Sequence, residues 1–337
     1  MRYLITGGTG FVGSHMIDYL LKENKDNVIF VMKRWRSRED NISHLLDNKR
    51  VRFIEADLLD FSSLKELMRL STPDVIFHFA SQSYPGASFK VPVVTLQVNI
   101  IGTVNLLEAV KDSKEKSMCN PLIISVSSSE VYGNPTKEEV PIKESNPIRA
   151  ANPYSISKVG HDLMSQYYYK AYGLKIIITR MFSHEGMRRG KEFALSSFAF
   201  QIVENEKRYQ EDLFNNIREL TYEIRVGNLD SIRTYSHIED AVHAYYLCSK
   251  LGRIGEVYNI GGRETCSVRE ALENLLSKST IPRNQFKIII DPNRVRPTDI
   301  TLQVPDCSKF IEDTEWRSVK NLDDITTDLL NYWRKIL

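Results

Sequence analysis

Over residues 1–180, short runs of apolar residues alternate with longer stretches in which apolar positions recur at helical spacing. The runs around Leu4, Phe30, Phe53, Ile76, Ile124 and Ile177 read as buried strands, and Phe11 to Glu23 and Thr95 to Lys111 read as amphipathic helices. Strict strand–helix alternation predicts an α/β fold, a doubly wound parallel (Rossmann) sheet with helices on both faces. A ligand crevice is then expected beyond the carboxyl ends of the strands.

After Arg180 the rhythm breaks. Arg188-Arg189-Gly190-Lys191 is a basic turn, and Asn205 to Glu219 is polar and charge-rich. The chain is expected to return to the sheet with a helix over Thr234 to Leu251 and a strand over Glu256 to Ile260, ending in Gly261-Gly262. Pro282, Pro292, Pro297 and Pro305 punctuate the remainder of the chain. The pattern divides the chain into a first domain built on the parallel sheet, 1–182 plus 231–262, and a smaller C-terminal lobe, 183–230 plus 263–337.

Composition narrows the class. With 337 residues and 42% hydrophobic content the chain is long enough for one large or two ordinary cores. A net charge of +2, with no basic stretch interleaved with aromatics, argues against nucleic acid. Cys119, Cys248, Cys266 and Cys307 are far apart, so neither a disulfide framework nor a metal site is expected. The first strand begins at once, with no signal peptide and no apolar run expected to span a bilayer, so a cytoplasmic protein without a membrane partner is the expectation.

The glycines carry the first chemistry. Thr6-Gly7-Gly8-Thr9-Gly10-Phe11-Val12-Gly13 joins strand to helix, a turn too tight for side chains where a pyrophosphate lies on a helix N-terminus. Gly7, Gly10, Phe11, Val12 and Gly13 are the expected contacts. The second strand of such a unit ends in a carboxylate when the ribose 2′-hydroxyl is free. Here it runs into Lys33-Arg34-Trp35-Arg36-Ser37-Arg38, a cationic cluster that suits a 2′-phosphate. NADP is therefore expected, held by Arg34 and Arg36, with Asp57 and Leu58 on the adenine side and Ala80 and Ser81 after the fourth strand.

Tyr154 and Lys158 lie four positions apart at the start of a helix predicted over Pro153 to Tyr172, so they face the same way. A tyrosine near its ordinary pKa of about 10 is a poor base at neutral pH, and a neighbouring ammonium favours its phenolate. Ser127-Ser128-Ser129-Glu130 follows the fifth strand, placing hydroxyls and a carboxylate beside that pair. A carboxylate adds nothing to simple hydride transfer, yet it suits removal of a proton beside a newly made carbonyl. A cap on the next turn is the plain alternative for Glu130.

These motifs resemble the extended short-chain dehydrogenase/reductases that modify nucleotide sugars, nearly end to end. Within them the likeness is to the GDP-mannose 4,6-dehydratases and their neighbours, the GDP-4-keto-6-deoxymannose reductases. Supporting segments are Ala80-Ser81-Gln82-Ser83-Tyr84 with Ser88, Ser183-His184-Glu185, Arg189-Gly190-Lys191-Glu192-Phe193, Arg233, and Arg294-Val295-Arg296-Pro297-Thr298-Asp299. The resemblance implies catalysis by Ser128, Glu130, Tyr154 and Lys158, NADP as cofactor, and a GDP-sugar bound by Ser83, Ser88, Ser183, Glu185, Lys191, Arg233, Arg296 and Asp299. It also implies a homodimer or homotetramer. Ser128 stands where the family usually has threonine, Ser183 where it has asparagine, and the segment Lys207 to Glu223 is longer than its counterpart. A reductase or 4-epimerase of the same fold, and an NADP-sensing binding protein without catalysis, are the competing readings.

Overall fold

β1 (Arg2–Thr6) runs straight into the glycine turn, and α1 (Phe11–Glu23) leaves it. A computed structural model describes residues 1–217 and 221–337 of the chain. Next come β2 (Val28–Lys33), β3 (Val51–Glu55), α2 (Phe61–Ser71), β4 (Val75–His78), the short α3 (Pro85–Ser88) and α4 (Pro92–Leu96), α5 (Gly102–Glu115), β5 (Leu122–Val126), α6 (Pro153–Tyr172) and β6 (Lys175–Met181). They are followed by β7 (His184–Glu185), α7 (Ala194–Phe214), β8 (Tyr222–Val226), β9 (Ile232–His237), α8 (Ile238–Leu251), β10 (Val257–Ile260) and β11 (Glu264–Ser267). α9 (Val268–Ser277), β12 (Phe286–Ile290), β13 (Leu302–Gln303), α10 (Ser308–Thr314) and α11 (Leu322–Ile336) complete the order.

The chain forms two compact units: Met1–Phe182 with Ala241–Ile260 and Pro305–Arg317, and Ser183–Asp240 with Gly261–Val304 and Ser318–Leu337. This corrects the expected division in three places, the smallest being Gly261-Gly262, which belong to the second unit. Residues 231–240 belong to the second unit because β9 pairs with β7, β11 and β13 there. Residues 305–317 belong to the first, where Phe310 of α10 packs edge-on against Tyr258 of β10. The helix predicted over Thr234 to Leu251 begins later than expected, its first turn being strand: β9 ends at His237 and α8 starts at Ile238. Ile232 and the β-branched Thr234 suit the pleated ladder that β11 offers, which the helical reading of the segment overlooked.

The first unit is a seven-stranded, wholly parallel sheet in the order β10-β6-β5-β4-β1-β2-β3. Side chains alternate across it: Leu4 and Phe30 join α2, α5 and α6 in one core, while Tyr3 faces α8, whose Lys250 ammonium lies over its ring. Strand order reverses at the β1/β4 boundary, the point at which such sheets open a crevice at their carboxyl ends.

The helix expected over Thr95 to Lys111 is longer, Pro92–Glu115, with a π turn at Gln97–Ile101 joining α4 to α5. By length and composition it is apolar enough to cross a membrane, contrary to the expectation from sequence. Here Leu106, Leu107 and Val110 are buried in the sheet core, and Asn99 and Thr103 are buried in hydrogen bonds to Ser157 and His161 of α6.

The second unit has its own core, in which α7, α9 and α11 pack on β8 through Ile202, Ile224, Leu272, Leu275 and Leu329. Of the segment read as long from Lys207 to Glu223, residues up to Phe214 continue α7. Residues 218–220, which include Glu219, lie outside the described residues.

Candidate functional site

The glycine turn is built for close approach. Gly7 has φ +71°, and a Cβ there would stand 2.8 Å from the Ala80 amide nitrogen after β4. A Cβ on Gly13 would collide with the Gly7 carbonyl oxygen, whereas Gly10 is exposed and a Cβ there would meet only that carbonyl, at 3.2 Å. Gly10 caps α1 without a side chain, and no acidic residue occupies the first turn, so the positive end of the helix dipole is left for an anion. Phe11 and Val12 open that helix, half-buried. These features fit the pyrophosphate of a nicotinamide dinucleotide.

Flanking positions fall around the same sheet end. Ala80 N donates to Thr6 Oγ1 at 3.1 Å, and Ser81 follows, half-buried. Asp57 turns its carboxylate to the Leu59 amide (2.9 Å), while Leu58 is buried against Gly102. Arg34 and Arg36 are both exposed, in a turn closed by Ser37 N on the Arg34 carbonyl (2.9 Å). The ion pairs of this loop are Lys33 with Glu39 and Arg38 with Asp40, and Arg36 instead lies over the Trp35 ring.

The end of β5 and the start of α6 hold the residues expected to carry the chemistry. Ser128 is buried and caps a single 3-10 turn, Ser129–Tyr132, its Oγ accepting from Glu130 N at 3.2 Å. The cap is therefore Ser128, and the Glu130 carboxylate is directed elsewhere: its Oε2 accepts from Asn152 Nδ2 at 3.0 Å. Asn152 is itself the N-cap of α6, taking Ser155 N on its Oδ1 at 2.8 Å. One amide thus ties the carboxylate to the helix turn that carries Tyr154, a residue only 8% exposed. Asn152 was readable from sequence as a cap before Pro153, but its second bond depends on a partner 22 residues away.

Lys158 lies one turn further along α6, buried, with Nζ donating to the Val126 carbonyl at 2.6 Å. Burial pulls its pKa down to about 8 against an opposing pull from Asp162. Ammonium and free amine therefore exchange near neutral pH. Below about pH 8 the charge is present to favour a Tyr154 phenolate, and above it the charge is lost. A pH–rate profile on the best substrate is expected to turn downward above about pH 8, and a rate still rising through pH 9 would contradict this role.

Beneath Lys158 runs a buried network that the sequence did not announce. His78 Nδ1 meets Thr6 Oγ1 (2.8 Å), its Nε2 meets Thr103 Oγ1 (3.1 Å), and the same oxygen meets His161 Nδ1 (2.9 Å). His161 Nε2 meets Ser125 Oγ (2.8 Å), which contacts Ser165 Oγ (2.7 Å). Thr103 donates its hydrogen to the Asn99 carbonyl (2.7 Å), so its oxygen is left to accept from both imidazoles. Burial, reinforced by the Lys158 charge, holds His78 down to about 3 and His161 well below the ordinary histidine value. Both rings stay neutral, leaving Lys158 as the cation here. Asn99 also clasps the Gln82 backbone and donates to Ser157 Oγ at 2.8 Å, fixing the loop before Ser83 to the helix that carries Tyr154 and Lys158.

The positions expected to touch substrate fare unevenly. In the first unit Ser83 is exposed, but Ser88 is fully buried with Oγ on the Pro85 carbonyl (2.7 Å), which corrects its expected role as a contact. Within the second unit Ser183 gives its carbonyl to Ser236 N (2.8 Å), and Lys191 is exposed over the Phe200 ring. Glu185 is buried, its carboxyl raised in pKa by desolvation, and lies 3.5 Å from Arg189 Nε. Arg233 donates to the Ile300 carbonyl and lies 4.0 Å from Asp299, which also accepts from Asn228 (2.9 Å) and Ser231 (3.1 Å). Arg296 is half-buried. Among the described residues no cluster of histidine, cysteine and carboxylate suits a metal ion.

The sequence matches the family model described as GDP-mannose 4,6 dehydratase over residues 4–329. The GDP-6-deoxy-D-mannose reductase of Pseudomonas aeruginosa is 26% identical over 332 residues, covering 98% of this chain and 97% of that protein. The dTDP-glucose 4,6-dehydratase of Haemophilus influenzae is 28% identical over 331 residues, covering 94% and 93%. Among solved structures, the dTDP-glucose 4,6-dehydratase DesIV of Streptomyces venezuelae, with NAD and TYD bound, superposes with a TM-score of 0.83 at 26% identity, covering 99% of this chain and 97% of that one.

Proposed function

Because the chain belongs to the GDP-mannose 4,6-dehydratase family of the extended short-chain dehydrogenase/reductases, which act on nucleotide sugars with a nicotinamide dinucleotide, we propose that it is a nucleotide-sugar 4,6-dehydratase. GDP-mannose is the proposed substrate and GDP-4-keto-6-deoxymannose the product. The observation that carries the reading is the Glu130 carboxylate, bound by Asn152 at the head of the Tyr154 helix. Hydride transfer alone has no use for it, whereas elimination of water needs a base at C5.

The cofactor would rest on Gly7, Gly10, Phe11, Val12, Gly13, Ala80 and Ser81, with Lys158 on the nicotinamide ribose. When bound, the nicotinamide supplies a two-electron oxidation at sugar C4 and the matching reduction at C6, ending as it began. Tyr154 Oη takes the proton of the C4 hydroxyl, its phenolate favoured by the Lys158 ammonium. Ser128 Oγ donates a hydrogen bond to the same oxygen. Glu130 then removes the C5 proton, made acidic by the C4 ketone; the C5–H electrons become the C5–C6 double bond as the C6–O bond breaks. The departing oxygen leaves as water with a proton passed from Glu130, Ser128 taking part in the relay. Tyr154 or Glu130 finally returns a proton to C5. In the second unit, Arg233 and Arg296 are proposed to hold the diphosphate, which their delocalised forks suit, with Ser183, Lys191 and Asp299 as further contacts and Glu185 acting through Arg189.

NADP is the proposed form of the cofactor, through Arg34 and Arg36. Calorimetric titration is expected to give NADP at least tenfold tighter binding than NAD, the size of one charge-assisted contact; equal affinities would remove the argument. Homodimers are proposed through exposed apolar residues of α4, the π turn and α6: Val93, Ile101, Ile156, Leu163 and Tyr167. Sedimentation should then show Leu163→Glu shifted toward monomer relative to wild type.

The Pseudomonas relative favours a second reading, reduction of a 4-keto-6-deoxy sugar. Incubation with GDP-, dTDP-, UDP- and CDP-hexoses decides between them. The dehydratase reading expects a mass loss of one water, greatest with GDP-mannose, and no net change in nicotinamide absorbance. Steady oxidation of NADPH by a keto-sugar, without water loss from any hexose, would replace it.

A further inference from the structure

Glu130 sits on a 3-10 turn of four residues, too short to hold its place by its own hydrogen bonds. One end is fixed by Asn152 and by Arg149 N on the Val131 carbonyl (2.9 Å). The other end is Tyr132, 1% exposed, and its hydroxyl lies in a largely buried polar cluster that the proposed mechanism leaves unused. Tyr132 Oη donates to Asn259 Oδ1 at 2.7 Å and accepts from Arg180 Nη1 at 2.9 Å. Arg180, on β6, also donates to the Glu144 carbonyl (3.1 Å) and forks onto Asp162 of α6 at 2.9 and 3.2 Å. Asn259, on β10, donates Nδ2 to the Ile142 carbonyl (2.9 Å) and its amide to Glu144 Oε1 (2.7 Å).

Four elements therefore meet at one phenol oxygen: the Glu130 turn, β6, β10 and, through the ion pair, the same α6 that carries Tyr154 and Lys158. Arg180 and Asp162 are 4% and 0% exposed; a buried pair of this kind is weak evidence for stability, but its two-bond fork fixes the orientation of the guanidinium that meets Tyr132. Burial lifts the Tyr132 pKa to about 12, so the hydroxyl keeps the hydrogen it donates.

We propose that Tyr132, held by Arg180 and Asn259, is the positioning residue that sets the Glu130 carboxylate against the Tyr154 helix, and so governs the elimination of water apart from the oxidation at C4. The inference rests on Glu130 being the elimination base. A displacement of about 1 Å at a catalytic group costs on the order of 100-fold, while a hydroxyl deleted from Tyr132 leaves its ring in the core with Val131, Ile142 and Phe182.

The test is Tyr132→Phe in the full-length, cofactor-loaded enzyme, with two rates read separately: transient nicotinamide reduction for C4 oxidation, and release of water with solvent deuterium uptake at C5 for elimination. Elimination is expected to slow by about 10- to 100-fold while C4 oxidation and KM stay within about twofold. Arg180→Lys, whose single ammonium keeps a charge for Asp162 but lacks the planar guanidinium that pairs with Asp162 and reaches Tyr132 from Nη1 at once, should give the same split and decides the matter should Tyr132→Phe not fold. Equal slowing of both rates, or of neither, overturns the inference. Wild-type enzyme that removes water from no nucleotide sugar sinks the dehydratase reading instead. A wild type that eliminates, with Glu130→Gln stalled after oxidation and Tyr132→Phe eliminating normally, sinks the positioning role alone.

Discussion

Glu130→Gln should yield an enzyme that oxidises its sugar and then stalls. The amide is nearly isosteric and can still meet Asn152 by turning its carbonyl oxygen to Nδ2, so the 3-10 turn is expected to hold. What disappears is the only carboxylate on that turn, and with it the group that takes the C5 proton. General-base removal is worth about 10²- to 10⁴-fold, so water release should fall by about 10³-fold while a burst of reduced nicotinamide persists. Solvent deuterium should no longer enter C5. Water loss at the wild-type rate would mean that Glu130 is a structural partner of Asn152 and nothing more, and would move the elimination base to another residue.

Tyr154→Phe should fail one step earlier. Without the phenol oxygen the C4 hydroxyl proton has no acceptor, so no burst is expected and overall turnover should drop by about 10³-fold or more. Dinucleotide affinity should remain within a few-fold, because the glycine turn and the Lys158 bond to the Val126 carbonyl are untouched. The two variants thus separate oxidation from elimination, and rapid-scan absorbance with product mass distinguishes them. A Tyr154→Phe enzyme that still reduces its nicotinamide on mixing with substrate would move the first base elsewhere.

Much of this was legible in the residues. The strand runs at Leu4, Phe30, Phe53, Ile76, Ile124 and Ile177 all form; a strand buried on both faces, as β4 is, must be apolar and says so in sequence, while β3 at the sheet edge keeps Arg52 and Glu55. α6 starts where Asn152-Pro153 announces it, with a cap and a proline at the first helical position. Thr234 misled because a segment with apolar residues on both periodicities reads equally as helix and strand; the partner strand β11, 30 residues later, decided for β9. The apolar stretch from Pro92 misled in the opposite direction, its length hidden by Asn99, Gly102 and Thr103, which are polar or small for reasons that lie in the neighbouring helix and loop.

The sequence by itself determined the chemistry on offer: a glycine turn at a strand–helix junction, a tyrosine and lysine on one helical face, a carboxylate after the fifth strand. Each is a local pattern, fixed by backbone sterics or helical period, and local patterns are what a sequence displays. Only the tertiary structure decided how these groups are held. The Asn152 bond to Glu130, the imidazole pair that stays neutral beneath Lys158, and the Arg180–Tyr132–Asn259 cluster each join residues 22 to 127 positions apart. Such bonds are strong only where water is excluded, and which distant groups are shut away together is settled by packing of the whole sheet rather than by any stretch of the chain.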